Sequence, residues 1–271
     1  MKKVGKAVGS GAVILLLVLS ITWALGSFTS ASASSILHEI QKRGTLRFGW
    51  AAWWPYVYRD AKTNRLVGIS VDLAEEMAKA LNVKVEFVED TWGTFAAGIQ
   101  ANKFDIWNLV AITLPRATAT GFTEPLTVHG LSLIVKKAEE PGLKSWKDMD
   151  KKGKKISVTL GSNTDLYLTR AIKEADIVRL KTSPEAFAAM KTGKANAYAS
   201  TVDSLTVLAK DNPETYVVPG EFGRSPVAFA VREDDQVWIN WLNQFVAEMK
   251  MTGMINSLLH KYGLSSSFAA P

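Results

Sequence analysis

Short apolar runs alternate with amphipathic stretches along most of the chain. Segments such as Phe104-Asp105-Ile106-Trp107-Asn108-Leu109-Val110 are mostly apolar over a strand's length. That pattern suits a strand covered on both faces by helices. The same reading predicts strands at Thr45–Trp50, Lys84–Glu89, Phe104–Val110, Leu131–Lys136 and Lys155–Leu160. Further strands are predicted at Asp176–Leu180, Ala195–Ala199, Tyr216–Pro219 and Val227–Val231. Between them, Leu73, Met77, Ala80 and Leu81 recur at helical spacing, with Glu75, Glu76 and Lys79 on the other face. This predicts a helix over Val71–Leu81. Others are predicted at Trp92–Ala101, Thr164–Ala175, Pro184–Lys191, Val202–Ala209 and Val237–Tyr262. Alternating strands and helices imply an α/β fold with largely parallel sheets, which bind ligands at the carboxyl ends of their strands. The polar connection from Lys144 to Lys155 is followed by a fresh β-α unit, which predicts a second lobe.

The first residues break this pattern. Lys2, Lys3 and Lys6 precede an uncharged apolar run from Ala12 to Phe28, and Ala31-Ser32-Ala33 supplies small residues after it. That is the layout of a cleavable secretory signal over residues 1–33. The rival is an uncleaved anchor, for which the run is marginal in length. Removing 1–33 takes away three lysines and no acid, so the net charge falls from +6 to +3. No basic block then remains to suggest nucleic acid. The chain has no cysteine, which excludes disulfides, cysteine nucleophiles and a lipid-modified cysteine anchor. His38, His129 and His260 are far apart in sequence, so a histidine metal site is not expected. No phosphate loop, serine-nucleophile elbow or other cofactor motif occurs, and no cofactor is expected.

One ordered set of segments resembles a known family. It opens with Gly44-Thr45-Leu46-Arg47-Phe48-Gly49, continues through Tyr58-Arg59-Asp60 and Leu66-Val67-Gly68-Ile69-Ser70-Val71-Asp72-Leu73, and then has Trp92 and Lys103-Phe104-Asp105-Ile106. Ile112-Thr113-Leu114-Pro115-Arg116, with Thr123-Glu124-Pro125 after it, is similar to the family's Thr-x-x-Arg and Phe-Ser-x-Pro signature. Gly161-Ser162-Asn163 and the closing Lys261-Tyr262-Gly263 complete the set. From about Ile40 to Gly263 the chain resembles the polar amino-acid-binding proteins of ABC importers, family 3 of the extracellular solute-binding proteins. The resemblance implies a two-lobed periplasmic binding protein fold of type II. Lobe 1 would comprise residues 36–130 and 226–271, and lobe 2 residues 131–225. It also implies a monomer in the periplasm that closes on a carboxylate-bearing small molecule and hands it to a membrane permease.

Candidate site residues follow from both lines. Arg116 has a planar guanidinium whose fork matches a carboxylate, and the resemblance assigns it the ligand α-carboxylate. Thr113 and Ala111 share its turn and would bind the same group by hydroxyl and main chain. Asn108 and Leu109 end the preceding strand and are expected on the site's floor. Ser162 and Asn163 open a helix whose free N–H groups attract an anion. Trp92 and one of Trp53 and Trp54 are expected to wall the ligand; the sequence does not choose between the last two. Packing is expected for Trp50 and Trp107.

One position departs from the family. The strand at Ala195–Ala199 usually ends in an acid that takes the ligand ammonium, and this chain has Thr201 there. Either Asp203 or Asp165 reaches the cleft, with Asp90 a further candidate, or the ligand amine is absent or methylated. The alternative function is an enzyme resembling cyclohexadienyl dehydratase on the same scaffold. Glu124, His129, Asp165 and Asp203 would be its only acids, and none sits in a catalytic motif, so a binding protein rather than an enzyme is expected. A sensory or docking module is a third reading.

Overall fold

The computed structural model describes Met1 and residues 34–271, so the predicted export signal, Met1 apart, lies outside the described residues. Among the described residues no helix is long and apolar enough to cross a membrane. The chain runs α1 (Ile36–Arg43), β1 (Thr45–Trp50), β2 (Tyr58–Arg59), β3 (Leu66–Val67), α2 (Ile69–Ala80), β4 (Lys84–Glu89) and α3 (Phe95–Gln100). Then come β5 (Ile106–Ala111), α4 (Leu114–Ala117), β6 (Gly121–Phe122), β7 (Thr127–Lys136), β8 (Lys155–Thr159), α5 (Asn163–Ala171) and β9 (Asp176–Leu180). The rest is α6 (Ser183–Lys191), β10 (Ala197–Thr201), α7 (Val202–Asp211), β11 (Thr215–Val217), β12 (Phe222–Val231), α8 (Gln236–Met251) and α9 (Met254–Lys261).

The main strands join in the order β4-β1-β5-β12-β7-β10-β8-β9. β4, β1 and β5 are parallel, and β12 runs antiparallel to β5. On the other side β9, β8 and β10 are parallel, and β7 runs antiparallel to β10. β7 and β12 pair with each other in the middle, Ser225 opposite His129 and Val227 opposite Thr127. These two ten-residue strands therefore tie two α/β lobes together.

Each lobe has its own core. The first gathers Leu46, Phe48, Leu73, Ile106, Trp107, Phe229 and Trp238. In the second, β7 sends Leu133 and Val135 into one cluster and Ile134 into another on the opposite face. A strand whose alternate side chains are all apolar is one covered on both sides.

The structure departs from the predicted elements where tertiary pairing overrides local pattern. The strands expected at Leu131–Lys136 and Val227–Val231 extend back to Thr127 and Phe222. Their added halves contain the weak strand formers Gly130, Gly223 and Pro226; pairing between the two strands holds them, with an irregularity between Phe222 and Ser225 where Gly223 takes a left-handed φ of 56°. The single helix expected over Val237–Tyr262 is two, because Gly253 adopts a left-handed φ of 71° that ends the first and starts the second.

Candidate functional site

Arg116 occupies the junction of the lobes. β5 ends at Ala111, and Thr113 caps the short α4 by accepting a hydrogen bond from Arg116 N. This turns the Arg116 side chain inward, where the residue is 7% exposed. Its Nη1 donates to the Ala111 carbonyl at 3.0 Å, and its Nη2 donates to the Gly161 carbonyl of the other lobe, also at 3.0 Å. The Phe95 ring lies 5.4 Å from the guanidinium carbon. Burial lowers its pKa to about 10, so it remains a cation at neutral pH. Among the described residues it has no carboxylate partner. A buried cation of this kind calls for an anion.

Lobe 2 presents the N-terminus of α5 to the same space. Ser162 caps it by accepting from Asp165 N, and Gly161 before it has φ 75°. A Cβ on Gly161 would sit 2.6 Å from Gly93 Cα, so the lobes touch there. Asp165 takes no part in the cavity wall: its carboxylate accepts from Gly161 N at 2.9 Å and Arg179 Nε at 2.8 Å.

The aromatic wall comes from lobe 1. Trp53 stacks on Tyr56 with centroids 4.0 Å apart and meets Trp92 edge-on at 6.0 Å. Trp92 is backed by Trp107, which stacks on Phe95. Trp53 Nε1 donates to Thr201 Oγ1 at 3.1 Å, a second bond between lobes. Ser183 Oγ donates to the Ala52 carbonyl at 2.9 Å, a third. Three hydrogen bonds thus join the lobes across the cleft.

Beneath Trp53 lies a buried polar cluster. His129, on β7, has Nδ1 3.1 Å from Asp203 Oδ1, though off the direction of a good hydrogen bond. Its Nε2 is 2.7 Å from Thr127 Oγ1 and 3.3 Å from Tyr56 Oη. Burial pushes the Asp203 carboxyl up, but His129 and the Thr201 and Tyr56 hydroxyls outweigh this and hold it below its ordinary range. Burial, then the Asp203 charge, raise the Tyr56 hydroxyl well above its ordinary value.

The cavity between the lobes has about 520 Å³ of empty space, its open mouth included. Arg116, Ala111, Trp92, Trp53, Ser162, Asn163 and Thr201, all candidates from the sequence, line it. The other candidates do not, Asp165 among them, and Leu109, expected on the floor, is fully buried in the lobe-1 core. Thr113 is the cap that sets Arg116. Asn108 is fully buried within β5, whose both faces are covered. Trp54 turns toward Phe187 of lobe 2, and Asp203 is fully buried against His129. Asp90 is engaged by Lys103, Thr94 and the Thr91 N–H, away from the cavity wall. Sequence reasoning missed Thr159, Thr164 and Ser183, and Ala199, Ser200, Ser225 and Val227. In the sequence His129 reads as a possible acid or as one of three histidines too dispersed for a metal site. Thr159, Thr164, Ser183, Ala199 and Ser200 lie at or shortly after strand ends, whereas His129, Ser225 and Val227 lie within β7 and β12 and carry no such signal.

A cleft between two α/β lobes joined by a pair of crossing strands, with an unpaired arginine at its centre, defines a two-lobed solute-binding protein. The chain belongs to the bacterial extracellular solute-binding proteins, family 3, whose model matches residues 46–265. It is 28% identical over 253 residues to the L-cystine-binding protein TcyJ of Escherichia coli, covering 92% of this chain and 94% of that protein. Among solved structures it is similar to the ancestral amino acid-binding protein AncCDT-1, a precursor of cyclohexadienyl dehydratase. That match has 34% identity and a TM-score of 0.79, over 84% of this chain and 99% of the other. A binding component of an ABC transporter from Wolinella succinogenes, complexed with lysine, matches at 31% identity and TM-score 0.76, over 83% and 97% of the two chains.

Proposed function

We propose that this protein is the periplasmic solute-capturing component of an ABC importer, closing its lobes over a small carboxylate-bearing molecule. The observation that carries this reading is Arg116, a buried cation without an anionic partner among the described residues, held by carbonyls of both lobes. Two of its N–H groups are engaged by these carbonyls, and a carboxylate can take the others at about 1.5–3 kcal/mol per charged hydrogen bond. The N-terminus of α5 adds a partial positive charge from the second lobe. Closure then joins both halves of the anion site, which is the logic of hinge-bending capture.

In this reading lobe 1 is residues 36–130 and 226–271, and lobe 2 is residues 131–225. β7 and β12 are the hinge. The protein acts as a monomer, is exported by a cleavable signal over residues 1–33, and delivers its ligand to a membrane permease. It binds rather than transforms its ligand. His129 is the one ordinary acid-base side chain on the cavity wall among the described residues, and both its nitrogens face groups of the protein.

A thermal-shift screen of amino acids and small organic acids tests the proposal. A ligand at 100 times its dissociation constant stabilises by about 2.7 kcal/mol. Arg116→Ala is expected to abolish the shift while a cooperative unfolding transition persists. A variant that binds as tightly as the parent would overturn the carboxylate site. Turnover of a prephenate-like acid would overturn the assignment as a binding protein.

A further inference from the structure

The charges around the cavity are one-sided. Among the described residues, no aspartate or glutamate lines it, whereas Arg116 and the ionisable His129 do. Among the same residues the lobe-2 wall carries no charged side chain: Thr159, Ser162, Thr164, Ser183, Ser200 and Thr201 line it, with the hydroxyls of Thr159, Ser162, Ser183 and Thr201 also bonded within the protein. Asp165 is engaged by Gly161 N and Arg179, and Asp203, behind His129 on the cavity wall, is fully buried and already faces that histidine. Thr201, which precedes it and opens α7, accepts from Trp53 Nε1.

An ammonium ion enclosed here would lose its water and meet no direct counter-charge. It would also share the cavity with the Arg116 cation. Burying a charge without a partner is strongly unfavourable, and a like charge nearby adds to the penalty. Hydroxyls suit a different ligand, because each donates or accepts as its partner requires. Resting on the carboxylate reading above, we infer that the physiological ligand is a carboxylate with no cationic group, its remaining polar atoms being hydroxyl or carbonyl oxygens. Arg116 neutralises its one charge, Trp53 and Trp92 cover its apolar part, and the lobe-2 hydroxyls bind its oxygens.

Matched pairs of probes test this by calorimetry on the purified protein. L-phenylalanine is compared with L-phenyllactate, L-leucine with L-2-hydroxyisocaproate, L-alanine with L-lactate, and glycine betaine is added as a methylated cation. Within at least one pair the hydroxy acid is expected to bind ten times or more as tightly as the amino acid, and betaine is expected not to bind. Tighter binding of an amino acid than of its hydroxy partner, or binding of betaine, overturns the inference and leaves the carboxylate site standing. Failure of every probe also overturns it, and if Arg116→Ala then leaves binding of acids from the wider screen intact, the carboxylate reading falls as well. Thr201→Asp gives a second readout at the cavity wall. It is expected to weaken hydroxy-acid binding at least tenfold and to improve the amino acid of the same pair. An unchanged preference would refute the charge argument even if the parent favours hydroxy acids.

Discussion

Closure of the cleft can be blocked at one atom. Replacing Gly161 by alanine places a methyl carbon 2.6 Å from Gly93 Cα, 2.8 Å from Gly93 N and 3.0 Å from the Trp92 carbonyl carbon, all backbone of the opposite lobe. Ordinary contact begins near 3.4 Å, so the lobes must part by about 0.8 Å at this point. The partners are main-chain atoms and cannot rotate away. Two interlobe hydrogen bonds are then strained, Arg116 to Gly161 and Trp53 to Thr201. Their loss removes about 1.5–3 kcal/mol for the charged bond and about 1 kcal/mol for the neutral one. At about 1.4 kcal/mol per tenfold, affinity is expected to fall by roughly 60- to 700-fold. The alanine also carries the strain of φ 75°, about 1–2 kcal/mol, but in open and closed forms alike. Gly153→Ala isolates that contribution, since Gly153 has φ 84° with nothing near its would-be Cβ. The two variants should lose similar thermal stability without ligand, while calorimetry with the best acid from the screen shows weakened binding only for Gly161→Ala. Equal affinities for Gly161→Ala and the parent would refute the closed-cleft geometry as the bound state.

Other outcomes follow from the same contacts. Trp92→Ala should weaken ligand binding more than Trp107→Ala does at matched folding, whereas Trp107→Ala, emptying a fully buried site, should cost about 3–5 kcal/mol by urea denaturation; the reverse order in binding would count against the aromatic wall. Asp203 has a folded pKa below its ordinary 3.8, so its contribution to stability is complete above that value and is lost as pH falls below it toward the depressed folded value. Asp203→Asn should therefore flatten the acid limb of the stability profile in that range, and an unchanged limb would show that the buried pair is not ionised. Asp105 accepts from Arg47 N and Nη2 at 2.8 and 2.7 Å, so Asp105→Ala should lower stability by about 2 kcal/mol, seen as a lower urea midpoint with binding retained.

The α/β architecture and most of its strands were legible because buried strands and amphipathic helices write themselves as local apolar periods. β1, β4 and β9 have the predicted bounds. Arg116, the turn Gly161-Ser162-Asn163, Trp92 and the Trp53/Trp54 pair were legible as site candidates through the family motif and position after strands. The first halves of β7 and β12 were not, since their pairing joins segments about a hundred residues apart.

Composition and periodicity along the chain were sufficient for the class of fold and for the exclusion of cysteine chemistry, and the family signature around it singled out Arg116. These depend on residue type and near neighbours. Which of Trp53 and Trp54 faces the cavity, that Asp203 faces His129 and lies off the cavity wall, and that serines and threonines rather than acids line lobe 2 among the described residues were decided by the folded chain. Each is a matter of side-chain direction and of contacts between residues 70 or more positions apart, and no local pattern encodes them.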